Sequence, residues 1–204
     1  MSLDLDRAWL HRAVRHTRAA VDEISDTRAS CLLSTKLLCA VLSAFEVSAR
    51  PQAVWVTARN AAAMEAMLAG RDERTAPGAW SVGVRPGAVV NAGAWPGHLV
   101  TVVRAPNVMR QGGPARLLVD LSADQFDRPE HGIVFGGPVI FGIDGTWSPQ
   151  DPLASINHDA RCAIQYVPSV PGQDAHASWR DTPAFTTQAT TLDALAAQVA
   201  AVLR

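Results

Sequence analysis

The sequence predicts an α+β fold: N-terminal helices, one of them buried, packed on a mostly antiparallel β-sheet. Three observations predict it. The first 45 residues carry apolar positions at helical spacing. The middle of the chain carries short apolar runs bounded by Gly, Pro, Asn and Asp. The final stretch returns to helical spacing, so helices precede and follow the strands rather than alternate with them.

The elements follow in order. Residues 3–24 read as an amphipathic helix, with Leu10, Val14, Val21 and Ile24 on one stripe and Arg7, Arg15, Arg18 and Glu23 off it. Residues 25–27 are a polar break with candidate N-caps. A second helix over 30–45 has Leu33, Leu37, Leu38, Val41, Leu42 and Phe45 around most of its circumference, which predicts deep burial. After Pro51, Ala53–Thr57 is rich in strand formers, and 60–68 reads as a short helix ended near Gly70. Residues 71–96 read as an excursion and a candidate lid. Three apolar runs, 98–103, 117–121 and 133–143, read as strands, with Gln111–Pro114 as a hairpin loop between the first two. Residues 161–167 form another candidate strand. Residues 191–204 form a closing helix with Leu192, Leu195, Val199 and Val202 on one side.

Composition narrows the function classes. At 204 residues the chain can bury about 70% of its unfolded surface without staples. A hydrophobic fraction of 48% against 18% charged residues excludes disorder for the bulk of the chain. A net charge of −1 argues against a dedicated binder of nucleic acid or anionic membranes. The charged N-terminus does not read as a secretory signal, and the apolar stretch from Leu37 to Phe45 is too short to span a bilayer, so the expected compartment is the cytoplasm. The three cysteines form no CxxC pair, which suggests neither a disulfide framework nor a zinc site. His158, Asp159 and Cys162 look in passing like metal ligands, but a zinc site needs three or four. We expect no metal and no cofactor.

Cys31 stands at the start of the buried helix, where the positive end of the helix dipole favours a thiolate. Cys39 and Cys162 read as packing residues. His98 opens the strand Leu99–Val103, and Asp120 stands inside the apolar strand Leu117–Leu121, where an unpaired carboxylate would be costly. A hairpin between these strands brings Asp120 alongside His98. Asp120 can then orient the ring while His98 takes the proton from Cys31, the nucleophile–base–orienter logic of acyl transfer. Of the tryptophans, Trp95 is the candidate for substrate stacking, being three residues before His98.

A cysteine at the start of a buried helix, the strand Gly97-His98-Leu99 and the following strand Leu118-Val119-Asp120-Leu121-Ser122 resemble the transglutaminase-like branch of the papain-like cysteine superfamily, which includes arylamine N-acetyltransferases and bacterial peptidases. The resemblance covers residues 28–126. Residues 127–204 then read as an extension of one 1–204 domain. Residues 127–190 are open to packing on the core, covering the cleft or forming the face of a homo-oligomer. The resemblance implies thioester chemistry on a peptide, amide or acyl substrate, with Cys31 as nucleophile, His98 as base and Asp120 as orienter. Trp95, Gln125 and Arg28 are the candidates for substrate contacts or the second oxyanion donor. Arg28-Ala29-Ser30-Cys31 lacks the glycines of the acetyltransferase motif, so the superfamily is indicated more sharply than any activity within it. A catalytically inactive module that binds a partner in the same cleft is the alternative expectation.

Overall fold

The computed structural model describes residues 5–25, 31–84, 97–106, 113–145, 147–157, 161–169, 179–180 and 189–204, with the backbone alone for 154–157 and 189–190. The architecture is α+β, with helices at both ends of the chain. The helices are α1 (Arg7–Ile24), α2 (Cys31–Ser43), α3 (Ala61–Leu68) and α4 (Ala189–Leu203). The strands are β1 (Ala49–Arg59), β2 (Ser81–Val84), β3 (His98–Arg104), β4 (Arg116–Asp120), β5 (Val139–Ile143), β6 (Leu153–Asn157) and β7 (Cys162–Pro168). No helix among the described residues is long and apolar enough to cross a membrane.

Local chemistry sets the helix starts. Asp6 caps α1 by accepting from the Trp9 amide at 2.7 Å. Asn60 caps α3 by accepting from the Ala63 amide at 3.0 Å, and its own amide group donates to the carbonyls of Gly78 and His131. One buried cap residue therefore ties a helix to two loops.

Every strand pairing is antiparallel, in the order β5-β4-β3-β1-β7-β6. The long β1 is the spine. Its first half pairs with β3 and its second half with β2, while β7 runs along its other edge. Residues 127–204 therefore supply three strands of the same sheet. Part of the 71–96 excursion, Ser81–Val84, is also a strand of it; residues 85–96 lie outside the described residues.

Two strand expectations need correcting. The apolar run 133–143 is a strand only from Val139 onward. Gly136 and Gly137 take φ of 70° and 151°, conformations closed to most side chains, and Pro138 follows, so the run breaks there. Strand β6 was not anticipated. Leu153-Ala154-Ser155-Ile156-Asn157 has few strand-forming residues and forms at the sheet edge because β7 pairs with it.

The sheet separates two cores. On one side α1, α2 and α4 pack on Val103, Leu117 and Val119, burying Trp9, Leu10, Leu37, Leu38, Val41 and Leu42. On the other side Val54, Val100, Leu118, Ile164 and Tyr166 are covered by the 3-10 turn Ala123–Phe126, Ile133 and neighbouring aromatic residues. The N-terminus of α2 lies at the His98 end of β3, where Cys31 packs with Ala53, Leu99 and Trp179.

Candidate functional site

His98 and Asp120 stand on adjacent strands without being directly opposite. The β3–β4 register sets Thr101 against Val119, so Asp120 faces Val100 and lies diagonally from His98 on the same sheet face. The diagonal is closed by a hydrogen bond of 2.8 Å between His98 Nε2 and Asp120 Oδ2. Both side chains are sealed from solvent, at 0% and 1% exposure.

The Asp120 carboxylate gathers further donors. Tyr166 reaches over from β7, and its hydroxyl donates to Oδ2 at 2.8 Å. The Ser122 amide donates to Oδ1 at 3.0 Å. A buried carboxylate is tolerated when its lone pairs are filled in this way. Burial and the Asp120 charge push the Tyr166 hydroxyl well above its ordinary pKa of 10, so it stays a donor. Tyr166 was not singled out from sequence. It is the chain's one tyrosine, it shares the buried stripe Cys162-Ile164-Tyr166, and a buried phenol needs a partner, which was the available signal.

The surroundings of His98 favour its protonated form. Burial alone lowers its pKa. The Asp120 charge and hydrogen bond, with a smaller contribution from the nearby Cys31 thiol, outweigh burial and raise it from 6.5 to about 10. Phe126 packs edge-on to the ring at 5.2 Å, which restricts its orientation.

Cys31 is the first residue of α2 and 7% exposed. Its thiol points at the strand start, with Sγ 3.9 Å from the Gly97 carbonyl oxygen. Thr35, one turn on, donates its hydroxyl to the Leu99 carbonyl at 3.1 Å and so pins this end of α2 to β3. The other cysteines differ. Burial pushes the half-buried Cys39 thiol up to about 12. Cys162 is buried, with Sγ 3.3 Å from the Val134 carbonyl oxygen, and its pKa is raised chiefly by burial.

Gln125, a candidate for a substrate contact or the second oxyanion donor, stands in the turn after β4. Its side-chain amide is on His98 Nδ1, the ring nitrogen that Asp120 leaves open. A charged clamp holds the turn that carries it. Arg18 of α1 meets Asp124 through Nη1 at 2.9 Å and Nη2 at 3.0 Å, donates to the Leu121 carbonyl at 2.7 Å, and pairs with Asp22 through Nε. Arg28 and Trp95, the other two candidates, lie outside the described residues, as do His158 and Asp159. A cleft of about 310 Å³ lined by Arg50, Gln52, Ser169 and Arg180 meets the Cys31 cluster at Ala53 and Trp179. Arg180 lies over the Trp179 ring at 4.0 Å.

The structure thus seals a histidine–carboxylate pair on the turn side of β3 and β4, and sets the Cys31 thiol, at the start of α2, against the Gly97 carbonyl where β3 begins. No family model, no curated protein and no solved structure matches this chain.

Proposed function

We propose that the protein is a cysteine-dependent amide hydrolase or acyltransferase of the transglutaminase-like type. The observation that carries this reading is the sealed His98–Asp120 pair, with the Cys31 thiol at the helix start that meets the beginning of the His98 strand. Cys31 attacks the substrate carbonyl carbon as a thiolate. Collapse of the tetrahedral species breaks the bond to the leaving amine or alcohol, which takes its proton from His98, and leaves a thioester on Cys31. Water or a second amine, deprotonated by His98, then attacks the thioester and releases Cys31. Asp120 keeps the ring oriented and balances its charge, and Tyr166 and Ser122 keep Asp120 in place. The Cys31 backbone N–H, at the start of α2, is one oxyanion donor.

The test is intact-mass trapping with a panel of activated aryl esters and amides, alongside iodoacetamide labelling across pH. One acyl or alkyl adduct is expected, on Cys31, persisting at mildly acidic pH and lost in Cys31→Ala. Its rate should fall at least a hundredfold in His98→Ala. Equal labelling of all three thiols, or a rate indifferent to His98, defeats the reading.

A second reading, a non-catalytic binding module on the same scaffold, is favoured by the closeness of the packing. Ala53, Leu99 and Trp179 press on Cys31, and Gln125 occupies Nδ1. Absence of any acyl adduct while Cys31 still labels at acidic pH would select this module.

A further inference from the structure

The end of β3 remote from His98 concentrates positive charge. Arg104 of β3 is directly opposite Arg116 of β4, and Arg50 of β1 is opposite Val102, one diagonal step from Arg104. Opposed residues share a sheet face, as do alternate residues along a strand. All three arginines therefore project from the face that carries His98 and Asp120. Directly opposed side chains start about 5 Å apart and diagonal ones about 7–8 Å. Like charges at such positions repel, and a directly opposed pair destabilises a sheet unless something compensates it.

No ion pair among the described residues does so. The ion pairs there engage Arg18, Arg59, Arg161 and His98, and none of these three. Arg50 donates to the Gln52 side-chain oxygen at 2.9 Å and Arg116 to the Gly145 carbonyl at 2.6 Å, both neutral acceptors. The three side chains line a cavity of about 360 Å³ together with Ser48, Val102 and Ala115. A second cavity, of about 380 Å³, shares Ser48, Arg104 and Ala115 and continues to Val47, Ala105 and Pro106, a largely apolar wall with Glu46 at its side. With a net charge of −1 overall, the cluster is a local concentration rather than general basicity.

We propose that Arg50, Arg104 and Arg116 form a binding site for a small phosphate monoester. The planar guanidinium forks match phosphate oxygens and neutralise a dianion. The organic part of the ligand lies in the adjoining cavity beside Val47 and Pro106. The site is at the opposite end of β3 from Cys31, so it stands whether or not the thiol is catalytic.

Calorimetric titration and thermal melts with inorganic phosphate and phenyl phosphate, at constant ionic strength in chloride, test it. Both should bind saturably and raise Tm, with phenyl phosphate the tighter. Arg104→Met should weaken both at least tenfold. In phosphate-free buffer the same variant should melt no lower than wild type, because it relieves repulsion at an exposed position. Arg204→Met serves as the control and should bind as wild type does. A Tm response equal to that of chloride, or Arg104→Met binding within twofold of wild type, overturns the site. Phenyl phosphate binding no tighter than inorganic phosphate overturns the placement of the organic part.

Discussion

The same strands present very different surfaces on the two sides of the sheet. Toward the helices, Val103, Leu117 and Val119 meet Leu37, Leu38, Val41 and Leu42 in hydrocarbon packing. Toward the turns, the neighbouring positions on the same strands are His98, Val100, Leu118 and Asp120, with Tyr166 beside them. The covering layers explain the difference. A helix satisfies its own backbone, so it can offer a stripe of pure hydrocarbon. Turns leave amides and carbonyls to be matched, and buried polar side chains can match them. Ser122 N–H on Asp120, and Phe135 N–H on Asp127 at 2.7 Å, are two such matches. One face is held by volume and the other by completed hydrogen bonds, so the two should fail differently.

The largest effect is expected at Asp120. Asp120→Ala leaves a buried imidazolium and a buried phenol without their acceptor, and should cost about 3–5 kcal/mol by urea denaturation. It should also remove the acid-stable labelling of Cys31. Tyr166→Phe deletes one donor to a charged acceptor while keeping the ring, and should cost about 1.5–3 kcal/mol in the same assay. Gly142→Ala on β5 should cost about 1–3 kcal/mol, because an added Cβ would come within 2.3 Å of Pro114 Cγ. Leu38→Met, fully buried on the helix face, conserves volume and should cost under about 1.5 kcal/mol. If Leu38→Met proves as damaging as Asp120→Ala, the contrast between the faces is wrong.

Alkaline pH sharpens the same contrast. The His98 pKa rises from 6.5 unfolded to about 10 folded, so the folded state binds the extra proton between those values. That contribution is complete below about pH 6.5 and lost as pH rises through about 10. The raised Tyr166 pKa acts in the same direction above pH 10. Urea midpoints measured from pH 6 to 10 should therefore fall. The fall should be much shallower in Asp120→Ala, where the charge that holds the proton on His98 is gone.

Much of this was legible in the residues. Helical spacing located α1, α2 and α4. The oddity of a carboxylate in the apolar strand Leu117–Leu121 pointed to a partner, and the hairpin argument brought His98 near it. Strand β6 was illegible because edge pairing, not propensity, makes it a strand. The break at Gly136 and Gly137 was hidden by flanking apolar residues. The place of Gln125 on Nδ1 was illegible, since it depends on the turn that Arg18 clamps from a distant helix.

The amino-acid sequence alone determined where helices start, which stripes are apolar and which side chains need a partner, because these follow from local periodicity and the cost of burying polar groups. Strand register was decided only by the assembled sheet. A shift of one residue would move His98 and Asp120 off their shared face and would separate Arg50, Arg104 and Arg116. Tyr166 reaches Asp120 only because β7 pairs with β1 while β3 takes the other edge, a long-range arrangement that no local pattern encodes.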